Sequence, residues 1–171
     1  AAIAAFGFAL LALPGNDSGY WFGFFPGLAV VGLGLGIAVA PLTIVVMAAV
    51  PANRAGLASG VNNSASRVAM LMAVAVFGVV MFEIFSGHLE AALKTMPLDD
   101  ASRALIGKQM LELAGLQTPP ALAADVTAQL RNAVNDSFIA GFRTVALICS
   151  AIALLGAVVA ALTIPPYPIK Q

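Results

Sequence analysis

Residues Ala55 to Val80, AGLASGVNNSASRVAMLMAVAVFGVV, set two asparagines and an arginine at the head of a run that is otherwise apolar enough to cross a bilayer. An arginine near a helix centre in lipid costs on the order of 2.5–3.5 kcal/mol on insertion scales, so something must compensate Arg67. At about 100° per residue, Gly56, Gly60, Asn63, Arg67, Val74 and Gly78 fall on one stripe, flanked by Ser59 and Ser66. Leu57, Val61, Ala65, Val68, Met72, Val76 and Val79 lie opposite. The stretch reads as a transmembrane helix with a small, polar face for protein or water and an apolar face for lipid or other helices.

The rest of the chain suits that setting. Hydrophobic residues make up 61% of the 171 and charged residues 9%, with a mean hydropathy of +0.98. Soluble domains carry about 25% charged residues, so the composition places the chain in a membrane. With a net charge of zero and no basic block, nothing suggests nucleic acid as a partner, and none is expected. Cys149 is the only cysteine, cannot form an intrachain disulfide, and reads as a small packing residue in an apolar run. No His, Cys, Asp or Glu stands at catalytic or metal-ligand spacing, so no enzyme, metal or cofactor is expected.

Four transmembrane segments are expected. The first, Ala1 to about Leu13, stops at Pro14-Gly15-Asn16-Asp17. Some thirteen residues reach only about 20 Å against a hydrocarbon core of about 30 Å. With no initiating methionine, charged n-region or cleavage signature ahead of it, this segment reads as the end of a helix that begins upstream, and the chain as a fragment. Tyr20 and Trp21 then suit an aromatic belt. The second, about Phe22 to Val50, contains Pro41 as an expected kink. Its Gly32, Gly36 and Ala40 recur every four residues, a spacing that lets membrane helices pack closely, while Gly34, Ala38 and Pro41 mark another side. The GxGxG at Gly32 to Gly36 follows no strand and is not a dinucleotide fingerprint. A tight Pro51-Ala52-Asn53-Arg54 connection predicts an antiparallel neighbour, the third segment, about Gly56 to Phe85. Glu83, the only carboxylate in these segments, lies opposite Arg67 on the wheel, so the two cannot pair, and it reads as interfacial.

From Gly87 to about Asp136 come four basic and six acidic residues. Asp99 can cap a helix with Ile106, Met110 and Leu113 on one face. Thr118, with Pro119 at a first helical position, can start another carrying Leu122, Val126, Leu130 and Val134. The expected result is a helical loop of two amphipathic helices over residues 87–136, with His88 and the charges on solvated faces. The last segment, residues 137–164, repeats Cys149, Ala153, Ala157 and Ala161 as a packing face. Arg143 near its start can snorkel to the interface. Pro165, Pro166 and Pro168 end it, and Lys170 lies in the tail, residues 165–171. Arg54 and Lys170, against no basic residue between Pro14 and Trp21, orient the turn and tail to the cytoplasm and the 87–136 loop outside.

The stretch GLGLGIAVAPLTIVVMAAVPANRAGLASGVNNSASRVAMLMAVAVFG, residues 32–78, resembles late spans of major facilitator superfamily transporters, in the fourteen-span drug:proton antiporter branch. The resemblance rests on the glycine-spaced helix with Pro41, on Val50-Pro51, Gly56, Ala58-Ser59-Gly60, Asn62, Asn63 and Arg67, and farther on at Phe138, Gly141, Phe142 and Arg143. Met70 and Met72 depart from it, standing where smaller residues are usual. The resemblance implies an all-α integral membrane fold in which the four segments are the last of fourteen. The partners are then lipid, the preceding transmembrane helices, a small-molecule substrate and protons. The implied function is proton-coupled export of drug-like or amphipathic molecules across a plasma membrane, the inner membrane of a bacterium. Asn62, Asn63, Ser66 and Arg67 become transport-pathway or gating candidates, and Gly56 and Gly60 join the packing residues. A non-transporting membrane scaffold or assembly subunit is the alternative, which explains the packing faces but gives the polar stripe less purpose.

Overall fold

The computed structural model describes residues 1–15, 18–118 and 122–163, all of whose regular elements are helical. In lipid only a helix or a closed barrel satisfies every backbone donor and acceptor internally, and these apolar runs carry no strand-period alternation. The helices are α1 (Ala2–Leu11), α2 (Tyr20–Gly23), α3 (Phe25–Ala48), α4 (Ala55–Thr95), α5 (Asp100–Lys108) and α6 (Ala124–Thr163). Short 3₁₀ turns cover Ala52–Arg54 and Met110–Gly115. Phe25–Ala48, Ala52–Thr95 and Ala124–Thr163 are long and apolar enough to cross a membrane, and α1 is a shorter apolar helix.

Two compact units result, one of residues 1–14, 18–70 and 146–163 and the other of residue 15 and residues 71–145, with α4 and α6 contributing to both. In the first unit α1 packs on α3 through small residues. Gly27, Val31 and Gly34 recur at i, i+4 and i+7 and meet Ala4, Gly7 and Leu11. A Cβ at Gly7 would lie 2.6 Å from the Val31 nitrogen, and one at Gly34 would lie 2.8 Å from the Ala4 Cα and press on its backbone nitrogen. Absent side chains let the backbones touch, which is the usual source of cohesion between helices in lipid. α3 continues through Pro41, whose ring removes one intrahelical donor. Thr43 Oγ1 donates to the Val39 carbonyl at 3.1 Å in the same turn.

In the second unit the period is that of a soluble core. Phe85, Leu89 and Leu93 on α4 close over Ile106 of α5, Leu116, and Leu130, Ala133 and Val134 of α6. Burying each of these larger side chains contributes about 1.5–3 kcal/mol. Ser137 is buried but satisfied, its hydroxyl donating to the Ala133 carbonyl at 2.6 Å. Gly141 is buried where α6 crosses α4, and a Cβ there would lie 2.6 Å from Met81 Sδ. Arg103 terminates α4: its guanidinium donates to the carbonyls of Leu93 (2.8 Å), Met96 (3.0 Å) and Leu98 (3.3 Å). Leu113 sits at φ 52°, ψ −121°, a left-handed conformation that costs a non-glycine residue on the order of 1–3 kcal/mol.

Helix limits and apolar limits do not coincide. α4 runs ten residues past Phe85, because Ser86, Gly87 and His88 do not break a helix, and it stops only before Pro97. The helix carrying Leu122, Val126, Leu130 and Val134 was expected to be separate. From Ala124 onward it is instead the first part of α6, since Asn135-Asp136-Ser137 is polar but contains neither Gly nor Pro. Asp99 stands at the N-cap position of α5 but makes no side-chain capping hydrogen bond, and Ile106 of that helix is buried. Asn16, Asp17, Pro119 and the tail with Pro165, Pro166, Pro168 and Lys170 lie outside the described residues.

Two outcomes follow from this packing. Gly34→Ala overpacks the α1–α3 contact and lowers stability by about 1–3 kcal/mol, whereas Gly87→Ala, in open space on α4, raises it by about 0.5–1 kcal/mol. Thermal unfolding in detergent separates them. The Ser102 hydroxyl beside Asp99 holds that carboxyl below its ordinary value of 3.8. A depressed carboxylate stabilises the fold above its unfolded pKa and loses that contribution as pH falls through the folded value. Amide protection over residues 100–103, taken relative to the intrinsic exchange rate at each pH, therefore falls below about pH 4, and Asp99→Asn removes that loss of protection.

Candidate functional site

The polar residues singled out on α4 belong to its first four turns. Asn62 is half-buried, and Asn63, Ser66 and Arg67 are exposed. Ser66 Oγ donates to the Asn62 carbonyl at 2.9 Å, so its hydroxyl hydrogen is committed within the helix. Asn63 and Arg67 stand at i and i+4 on the same face. Among the described residues no side-chain hydrogen bond or ion pair reaches either of them. The opposite face is equally uncovered, with Leu57 at 69% and Val61 at 62% exposure. Gly56 and Gly60 face open space, where a Cβ would meet nothing within 4 Å.

On α3, Gly32 and Gly36 likewise face open space, and Ala40 and Pro41 are exposed. The contact with α1 uses the neighbouring stripe, Gly27, Val31 and Gly34, instead. On α6, Ala153 and Ala157 are half-buried. Glu83 is exposed on α4, and Arg143, exposed on α6, lies beside Gly15.

Three features escaped the sequence reading. Ser150 Oγ donates to the Ala5 carbonyl at 2.8 Å, a hydrogen bond from α6 to α1; a serine next to Cys149 in an apolar run was the available signal. A hollow of about 280 Å³ opens between the end of α1 and the start of α3, lined by Leu10, Leu13, Pro14, Phe22 and Pro26. Beside it Trp21 makes an edge contact with Tyr20 at 5.7 Å and a tilted one with Phe25 at 5.3 Å. A second hollow, of about 220 Å³ in the other unit, is lined by Leu116, Thr118, Arg131, Val134 and Asn135. Residues so far apart in sequence converge only through folding. Among the described residues no group of His, Cys, Asp and Glu could hold a metal ion.

Ser150→Ala removes the α6–α1 hydrogen bond and lowers stability by about 0.6 kcal/mol, with ~1.7 kcal/mol as a ceiling. A double-mutant cycle is closed to the backbone acceptor, so the check is the unfolding of Ser150→Ala against Ser150→Thr, which keeps the hydroxyl.

No family model matches the chain, and no solved structure matches it. Curated relatives do. The chain is 35% identical over 132 residues to a triacylglyceride transporter of Mycolicibacterium smegmatis, covering 75% of this chain and 21% of the relative. It is 33% identical over 88 residues to the multidrug resistance protein Stp of Mycobacterium tuberculosis, covering 52% and 16%. It is 34% identical over 113 residues to a probable actinorhodin transporter of Streptomyces coelicolor, covering 65% and 18%. The chain thus spans about a fifth of the length of the curated relatives it matches. Apolar helices of spanning length together with relatives named as transporters describe a membrane protein, support a transport function and fit a protein that is not an enzyme.

Proposed function

We propose that the chain is the C-terminal part of a secondary active transporter of the major facilitator superfamily, in its fourteen-span drug:proton antiporter branch. On this reading it works in the inner membrane of a bacterium and exports drug-like or amphipathic small molecules in exchange for protons by alternating access. The similarity of three-quarters of the chain to a triacylglyceride transporter carries the reading. The other relatives, named for multidrug resistance and actinorhodin, support organic molecules as the substrate class.

The uncovered helix faces support a mechanism for this reading. Carriers of this kind rock helical bundles about a central site. Faces of small residues such as Gly32-Gly36-Ala40 and Gly56-Gly60 suit sliding contacts with further helices. Arg67 and Asn63 form a gating network there, with Asn62 and Ser66 as the adjoining polar surface of α4. Glu83 and Arg143 mark the interface. A scaffold would use the same packing faces, and transport is what distinguishes the two.

The test compares Arg67→Ala and Arg67→Lys in the complete protein, at equal expression, by efflux of a fluorescent amphipathic dye. Arg67→Ala lowers the efflux rate by about tenfold, the equivalent of ~1.4 kcal/mol, and Arg67→Lys retains part of it. Dissipating the proton gradient abolishes efflux by the unaltered protein. Full transport in both variants removes Arg67 from the mechanism, and efflux indifferent to the proton gradient removes proton coupling.

A further inference from the structure

The short helix α2 presents three large rings, and the described residues leave all of them open: Tyr20, Trp21 at 68% and Phe22 at 94% exposure. Phe25 extends the patch through its tilted contact with Trp21. Among the described residues no hydrogen bond reaches the Tyr20 hydroxyl or the Trp21 indole N–H. Rings of this kind have an apolar body and a polar tip, and the tip takes a hydrogen-bond partner wherever the body leaves water. The patch therefore needs apolar surroundings for the rings and polar ones for the tips.

Its depth follows from α3. That helix has 24 residues, about 36 Å at 1.5 Å each against a hydrocarbon layer of about 30 Å, so an α3 that crosses the membrane has an end at each surface. Phe25 is one of those ends, and α2 lies directly before it, where headgroups meet acyl chains. A covering helix fits the patch less well. Helices in lipid meet through small residues, as α1 and α3 do at Gly7 and Gly34, whereas three bulky rings hold a second backbone away. The hollow beside α2 lies at the same level, walled by Leu10, Leu13 and Pro14 at the end of α1, by Phe22, and by Pro26 at the start of α3. Beyond these only serine and glycine line it, and no charged side chain does. Small-molecule sites hold roughly 300–1,000 Å³, so at about 280 Å³ the hollow takes an alkyl chain and not a whole drug-sized molecule.

We propose that α2 and this hollow form a docking surface for one bilayer phospholipid, with Tyr20 and Trp21 at the level of its headgroup and an acyl chain in the hollow. A lipid held here requires that the chain sit in a membrane, and requires neither transport nor a role for Arg67.

The experiment places the complete protein in phosphatidylcholine nanodiscs whose acyl chains carry bromine either near the headgroup or near the chain terminus. Trp21 is the only tryptophan of this chain, and the difference between the unaltered protein and Trp21→Phe isolates its emission. That difference signal is quenched more by bromine near the headgroup than by bromine near the terminus, and only weakly by iodide in the water. Quenching that favours the terminus, quenching by iodide without quenching by bromine, or quenching by neither, the mark of a covering helix, overturns the placement at the headgroups. A second arm uses phosphatidylcholine with a diazirine in one acyl chain and maps the photolabel by peptide mass. Label per residue is several-fold higher over residues 10–14 and 22–27 than over the open apolar surface at Leu33, Leu35 and Ile37. Equal label on the two overturns the acyl-chain site. Efflux enters neither readout, so failure here is separate from failure of the transport reading.

Discussion

A bilayer interior offers no hydrogen-bond partner to a peptide group, and that constraint shapes every element of the membrane-spanning part. Each backbone donor is satisfied within its own helix, so the apolar runs can only be helical. The same medium withholds a hydrophobic drive between helices, since lipid tails are as apolar as leucine. Cohesion must come from close backbone approach, as at Gly7, Gly27 and Gly34, or from a shared polar group, as between Ser150 and Ala5.

The second unit is held by different physics. Phe85, Leu89, Ile106 and Leu130 are fully buried around one centre, and the amphipathic period that puts them there belongs to segments with charged outer faces. Water outside drives that burial. Polar groups inside are paired locally: Ser137 to its own helix, and Arg103 to three carbonyls at the end of α4. Because α4 and α6 are each continuous, the two kinds of cohesion act along the same pair of helices.

The polar stripe of α4 lies in the first unit, with Asn63, Ser66 and Arg67 exposed. In the first unit small residues are used twice, once where α1 covers α3 and once at Gly32, Gly36, Gly56 and Gly60, where among the described residues a Cβ would meet nothing within 4 Å. The covered stripe explains cohesion within the chain.

Helical class, membrane setting, the start of α5 after Asp99 and the polar face of α4 were legible in the sequence, because each depends on local spacing and on the cost of taking a side chain out of water. Helix ends were less so: apolarity stops near Phe85, but only Pro97 stops the backbone, since a helix leaving lipid keeps its hydrogen bonds. Which glycine stripe meets α1 was decided by tertiary structure alone. Gly32-Gly36-Ala40 and Gly27-Val31-Gly34 are comparable by composition, and only the docking of Ala4 and Leu11 chooses between them. The Arg103 clamp, the Gly141 crossing and the Ser150 bond to Ala5 depend likewise on residues distant in sequence, whose meeting no local pattern encodes.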